Sequence, residues 1–266
     1  PQRTTRLPFR SSNGAKEDHM KITPIKTERV SYPAKKLAEI LDNSLPKLSE
    51  QSIVVITSKI VSICQGDVIK KEEVISKKDL IIREADQYID HEPYPGIILT
   101  VKDNKLIPSA GIDESNGGGY YILWPKHAQE TANTIRGYLA QKHGIKHVGV
   151  LITDSHTYPM QTGAIGIGLV HSGFAAINDF VGTADLFGKP LQVTRANIMD
   201  GLSAAAVVVM GETIEQTPLA VITDVPFVQF QDRNPNEEEL ALLRFPIDED
   251  IYSPLLKSSP WKKGGF

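Results

Sequence analysis

VGVLITDSHTYPMQTGAIGIGLVH, residues 148–171, decides how the rest of the chain is read. Val148 to Ile152 is an apolar run of strand length that ends in Thr153-Asp154-Ser155. A polar stretch follows, then the small-residue run Gly163-Ala164-Ile165-Gly166-Ile167-Gly168. A buried strand that ends in a carboxylate and a hydroxyl sets both at the rim of a sheet, where ligands of α/β proteins bind. Asp and Ser also favour turns, so an ordinary Asp-Ser turn competes for the same residues.

Working outward, hydrophobic spacing predicts alternating strands and helices. Lys21 to Thr27 is a first strand, with Pro24 suiting an edge. Pro33 opens a helical pattern with Leu37, Ile40 and Leu41 on one face. Residues 52–57 are a buried strand, and residues 58–66 run on with no strong breaker before Gly66. Residues 68–75 suit a short strand or the lead into a helix. An amphipathic helix is predicted over 76–90, with Leu80, Ile81, Ala85, Tyr88 and Ile89 inward. Residues 96–112 suggest a hairpin about Lys102-Asp103-Asn104-Lys105, and Asp113 to Gly119 must be a loop, because three successive glycines hold no regular element. Residues 126–143 form the clearest helix, stopped at Gly144. Downstream, Leu191 to Thr194 is a candidate strand, 197–210 a small-residue helix, 219–223 a last buried strand, and 234–257 acidic helical turns broken at Pro246. This mixture predicts an α/β (α+β mixed) fold. Residues 20–232 are expected to form the main domain, with room for two interleaved subdomains, and 233–266 a C-terminal helical extension. Residues 1–19 are polar and basic without an apolar core, and are expected to be a cloning scar or a disordered arm.

Composition narrows the function. With 266 residues, 41% hydrophobic, the chain can bury a sizeable core. A formal charge of -3 lacks the basic footprint of a nucleic-acid binder. No apolar run nears the ~18 residues of a membrane span, and the single Cys64 excludes an internal disulfide and a multi-Cys zinc site. A cytoplasmic protein is expected. No P-loop, dinucleotide-binding glycine fingerprint, nucleophile elbow or zinc-protease motif is present. What remains is two oxygen-rich loops, Asp113 with Ser115 and Asn116, and Asp154 with Ser155. Such sets suit Mg²⁺ or Mn²⁺ bridging to nucleotide phosphates, with nearby glycines letting backbone amides approach. Two unrelated Asx-type turns would carry the same residues, and spacing alone leaves both readings open.

Jointly, further motifs carry a resemblance. A-G-I-D-E-S-N at 110–116, G-V-L-I-T-D-S at 149–155, G-A-I-G-I-G at 163–168, D-F-V-G-T-A-D-L-F-G-K at 179–189 and V-M-G-E at 209–212 resemble the γ-glutamyl ligase family that builds coenzyme F420. The resemblance covers roughly Ile22 to Val225. It implies a two-part α/β fold, an intertwined homodimer, and a GTP-dependent, divalent-metal-dependent ligase that adds L-glutamate to a carboxylate through an acyl phosphate. By position it implies Asp113, Asp154 and Ser155 as metal ligands, with the two aspartates catalytic through that metal. It implies Ser58, Asn116 and the segment from Met210 through Gly211, Glu212 and Thr213 to Thr217 as nucleotide contacts.

The chain also departs from the family pattern. Ile63 stands where a nucleotide-contacting lysine is expected, and Tyr158, Gln161 and Thr162 stand in a loop that is arginine-rich in the family. Gly201 replaces an acidic residue beside Asp200. Even spacing along a strand would put Lys59 on the same face as Ile63 and make it the candidate substitute cation. The implied partners are GTP, L-glutamate and an F420-0-like acceptor. Another acceptor such as a folate or pterin, or a nucleotide- and metal-binding paralogue without ligase activity, are the alternatives.

Overall fold

The structure is a computed structural model that describes residues 19–265. Residues 1–18 of the polar arm expected to be a scar or disordered lie outside the described residues. β1 (Lys21–Ile25) leads to α1 (Leu37–Ser44), whose Leu37, Ile40 and Leu41 are buried as their spacing requires. β2 (Ser52–Thr57) runs directly into α2 (Ser58–Gln65). Gly66 ends α2 at φ 78°, a left-handed cap that favours glycine. A smaller part follows: β3 (Val68–Lys70), α3 (Lys77–Glu84), β4 (Gln87–Ile89), β5 (Leu99–Lys102), β6 (Lys105–Pro108) and β7 (Tyr120–Ile122). The chain then returns through α4 (Ala128–His143) to the hairpin of β8 (Val148–Thr157) and β9 (Ala164–Ser172). β10 (Ile177–Asp179) pairs with β11 (Arg195–Asn197), and α5 (Ile198–Met210) precedes β12 (Leu219–Thr223). Two short helices, α6 (Glu237–Ala241) and α7 (Ser253–Ser258), and β13 (Trp261–Lys263) close the chain.

The main sheet has the order β1-β12-β2-β8-β9. Among the described residues only β2 and β8 are parallel, and the whole segment from α2 to α4 forms their connection. Alternation along β2 explains the layers. Val54 and Ile56 face one core with α1, α2 and α4, while Ile53 and Val55 face a second core with α5. Because both faces are covered, β2 is a continuous apolar run rather than an alternating one. A third core, with Leu80, Ile81, Ile98 and Leu123, supports the four-stranded sheet β13-β4-β5-β6. Among the described residues no helix is long and apolar enough to cross a membrane.

Four expectations change. The strand from Val148 does not end in Asp154-Ser155; it continues to Thr157, because β9 pairs with it beyond a bulge at Ile152/Thr153 and sets Asp154 opposite Ile167. The helix predicted over 76–90 ends at Glu84. Gln87 and Tyr88 pair instead with Val101 and Thr100, so sheet pairing outweighs a helical spacing that Tyr88 still satisfies by being buried. Residues 191–194 are not a strand: Val193 is 83% exposed, and the pairing strand lies at β11. Gly166 and Gly168 are packing glycines rather than phosphate-approach glycines. A Cβ on Gly168 would lie 2.3 Å from Met199, and one on Gly166 would lie 2.5 Å from the carbonyl oxygen of Ser203. Their absent side chains let α5 lie directly on β9.

Candidate functional site

The parallel pair positions the site. Thr57 and Thr153 are the last register partners of the parallel pair, so the next residues, Ser58 and Asp154, emerge together at the carboxyl end of β2, where β8 runs on beside β9. Ligands of open α/β sheets bind in that crevice. The Ser58 hydroxyl donates to Asp154 Oδ2 at 2.9 Å, and the Ser155 amide donates to Oδ1 at 2.8 Å. These bonds favour the ionised carboxyl, but burial outweighs them and pushes Asp154 up to about 6. Asp113 reaches the same place from the loop after the Asp113–Ile122 bridge. Its carboxylate accepts from the amide and hydroxyl of Ser115 at 2.6 and 2.8 Å and pairs with Lys59 Nζ at 2.6 Å. Burial pulls Asp113 upward, but the Lys59 charge and these hydrogen bonds outweigh it and hold it below the usual range.

Around these groups lies a cavity of about 440 Å³. Asp113, Asp154, Ser155, Asn116, Lys59 and Ile63 line it, with Thr27–Val30 on one side and Met210–Pro218 on another. Asn116 ties two walls together, its side-chain amide donating to the Thr213 carbonyl at 2.9 Å. The segment after α5 turns about Glu215, whose carboxylate accepts from the amide and hydroxyl of Thr213, each at 2.8 Å. Glu212 is raised by burial and by the nearby charge of Asp113, with Lys59 opposing. Lys59 as cation and Asp113 as anion thus both act electrostatically on Asp154 and Glu212.

The model of the F420-0:gamma-glutamyl ligase family matches residues 24–224. The chain belongs to that family. A relative from Methanococcus maripaludis, a coenzyme F420:L-glutamate ligase, is 33% identical over 232 residues, 81% of this chain and 90% of that one. Proteins of the same description from Methanopyrus kandleri and Methanocaldococcus jannaschii are 31% and 32% identical over 76% and 77% of this chain, and 86% of each of theirs. Every wall of the cavity, from Thr27 to Pro218, falls inside the stretch matched to the F420-0:gamma-glutamyl ligase family.

In this ligase-family chain the expected residues converge. Asp113, Asp154, Ser155, Asn116, Met210, Gly211, Glu212 and Thr213 all line one cavity, and Ser58 meets it through Asp154. Among the described residues no three His, Cys, Asp or Glu side chains converge at metal-binding spacing. A Mg²⁺ or Mn²⁺ here would therefore rest on Asp113 and Asp154, the Ser155 hydroxyl, water and ligand oxygens. That sparse protein shell suits Mg²⁺, which keeps waters and bridges to phosphates. The donor chemistry fits: among the described residues Asp154 has no ion-pair partner, and burial resists its charge. Lys59 and Ile63 do share a face, but as i and i+4 of α2 rather than along a strand. Tyr158, Gln161 and Thr162 lie outside the cavity wall. Sequence reasoning missed Thr27–Val30. Their one signal is position: they directly follow β1, and the Thr27 amide donates to the Gln216 carbonyl.

Proposed function

We propose that this protein is a γ-glutamyl ligase that joins the amine of L-glutamate to a carboxylate of an F420-0-like coenzyme at the expense of GTP. The observation that carries the reading is the meeting of Asp154, half-buried and reluctantly ionised, with the Asp113–Lys59 ion pair in one cavity where the parallel pairing of β2 and β8 ends. The family of the chain and the names of its relatives support the reaction class. In the reaction, a carboxylate oxygen of the acceptor attacks the γ-phosphorus of GTP and GDP leaves, forming an acyl phosphate. The glutamate amine then attacks the acyl carbon. Phosphate leaves, the amine proton passes to solvent, and an amide bond remains.

The residues of the chain divide the work. Asp113, Asp154 and Ser155 would hold Mg²⁺ or Mn²⁺, whose charge offsets that of the transferring phosphoryl group. Ser58 holds the Asp154 carboxylate in place. Lys59, paired with Asp113 on the cavity wall, supplies the cation that Ile63 does not. Thr27–Val30 and Met210–Thr217 form the two walls of the cavity between which the base and ribose would lie. A second reading, a nucleotide- and metal-binding paralogue without ligase activity, is favoured by the apolar Ile63 on the cavity wall. Mass spectrometry of products separates the two. Incubation with GTP or ATP, Mn²⁺, L-glutamate and a panel of acceptors (F420-0, folate and pterin carboxylates) should yield a glutamylated acceptor. Nucleotide binding without any glutamylated product would favour the paralogue.

A further inference from the structure

A second cavity, of about 580 Å³, lies apart from the first, and no residue lines both. The smaller part, the start of α4, β9 and the C-terminal segment each supply a wall. Leu240, Leu243 and Arg244 close it from beyond residue 224, where the family match ends.

Most polar groups of this cavity pair off with one another or with neighbours. Glu84 accepts from Arg83, Asp86 accepts from the Asp103 amide at 2.7 Å, and Asp103 pairs with Arg244 at 3.8 Å. Lys126 is taken by Asp67 at 3.7 Å and Lys102 by the Glu84 carbonyl, while Glu130 points to solvent with its side chain 80% exposed. What is left over is all donor. Among the described residues the Lys105 ammonium makes no hydrogen bond and no ion pair. Burial depresses it, and the charges of Asp200 and Asp103 oppose that from beyond contact. The other remainder is the first turn of α4. His127 at its N-cap gives no side-chain cap, and among the described residues the amides of Ala128, Gln129 and Glu130 have no acceptor. An unpartnered ammonium and unpartnered amides on one cavity select an oxyanion. The volume exceeds that of a bare ion, and Trp124, Leu169 and Leu243 give the remaining space apolar walls.

We propose that this cavity is an anion site, in which Lys105 and the first amides of α4 hold the phosphate or carboxylate group of a small molecule beneath the C-terminal segment. The site does not depend on the nucleotide reading of the first cavity.

Trp124 gives a local signal, since the only other tryptophan is Trp261. In a Trp261→Phe background, with EDTA to keep divalent cations out of the first cavity, inorganic phosphate and succinate are titrated while heat and Trp124 fluorescence are recorded. At least one should bind saturably below about 10 mM, within the range of weak specific sites, and change the Trp124 emission. The anion that binds names the head group; failure of both overturns the site. Lys105→Gln should weaken that binding about tenfold, the worth of one charge-assisted bond. Lys126→Gln removes the same charge from a paired, exposed lysine of the same wall and should change affinity by less than about twofold. His127→Asp sets a carboxylate at the N-cap, where it takes the amides for itself. It should abolish binding while the thermal midpoint holds or rises. Equal losses in Lys105→Gln and Lys126→Gln would mean diffuse charge attraction rather than a built site. Undiminished binding in Lys105→Gln, or in folded His127→Asp, would mean that the anion sits elsewhere. Either result overturns the proposal.

Discussion

Asp154 titrates at about 6 in the folded chain, against 3.8 for an ordinary aspartate. A carboxyl raised by folding stabilises the fold fully below its unfolded value and loses that contribution as pH rises through the folded one. Above pH 6 the ionised, half-buried carboxylate therefore costs about 2 kcal/mol in the absence of a cation. Asp154→Asn should raise the thermal midpoint at pH 8 and change it little at pH 4. Equal midpoints at pH 8 would show that Asp154 is not strained by burial. His171 behaves oppositely. It is 1% exposed, and burial depresses it from 6.5 to about 4. A depressed histidine contributes stability above its unfolded value, lost as pH falls from 6.5 through 4, about 3 kcal/mol in all. Denaturant titrations at pH 7 and pH 4.5 should show that loss, and His171→Gln should reduce it. Asp113 and Asp154 were legible as acids in polar motifs. The Lys59 contact was not, because Lys59 meets the Asp113–Ser115 loop across 56 positions of sequence, and no local pattern encodes that pairing.

At the scale of elements, β2 could be read directly as an unbroken apolar run of strand length, and α4 because its apolar spacing keeps one helical period along the whole length. The helix predicted to 90 failed where a helical spacing and a strand spacing bury the same side chain, Tyr88. The glycines of β9 were visible, but their role was not, because it depends on α5, some thirty residues further on. They give a graded test. A Cβ at Gly166 meets a backbone carbonyl, which cannot move away, whereas one at Gly168 meets the flexible Met199 side chain. Gly166→Ala should destabilise by ~2–3 kcal/mol and Gly168→Ala by ~1 kcal/mol in urea unfolding, typical of overpacking. The reverse order would mean that α5 shifts as a unit.

The main sheet has a single parallel pair among the described residues, β2 and β8, which is joined through a second, smaller part with its own four-stranded sheet. That topology brings Ser58, Asp113 and Asp154 together, and it explains why motifs far apart in sequence share one cavity. The C-terminal segment beyond the family match binds back across both parts. Arg136 on α4 donates to Asn234 Oδ1 at 2.6 Å and to the Asp232 carbonyl at 3.3 Å, and β13 extends the four-stranded sheet at β4. Arg136→Met should cost ~1–2 kcal/mol in stability, the usual worth of charged hydrogen bonds, and leave nucleotide affinity unchanged. Weaker nucleotide binding in that variant would show that the C-terminal segment reaches the cavity.

The most direct measurement is a paramagnetic-resonance titration of Mn²⁺ into the wild-type chain, Asp113→Asn and Asp154→Asn, with and without GTP. The cavity should take up Mn²⁺ in the wild-type chain, more tightly with GTP present. Each substitution alone should abolish that uptake, because both carboxylates serve the same ion. Undiminished Mn²⁺ binding in either variant would mean that Asp113 and Asp154 do not share a cation, and would contradict the account at its centre.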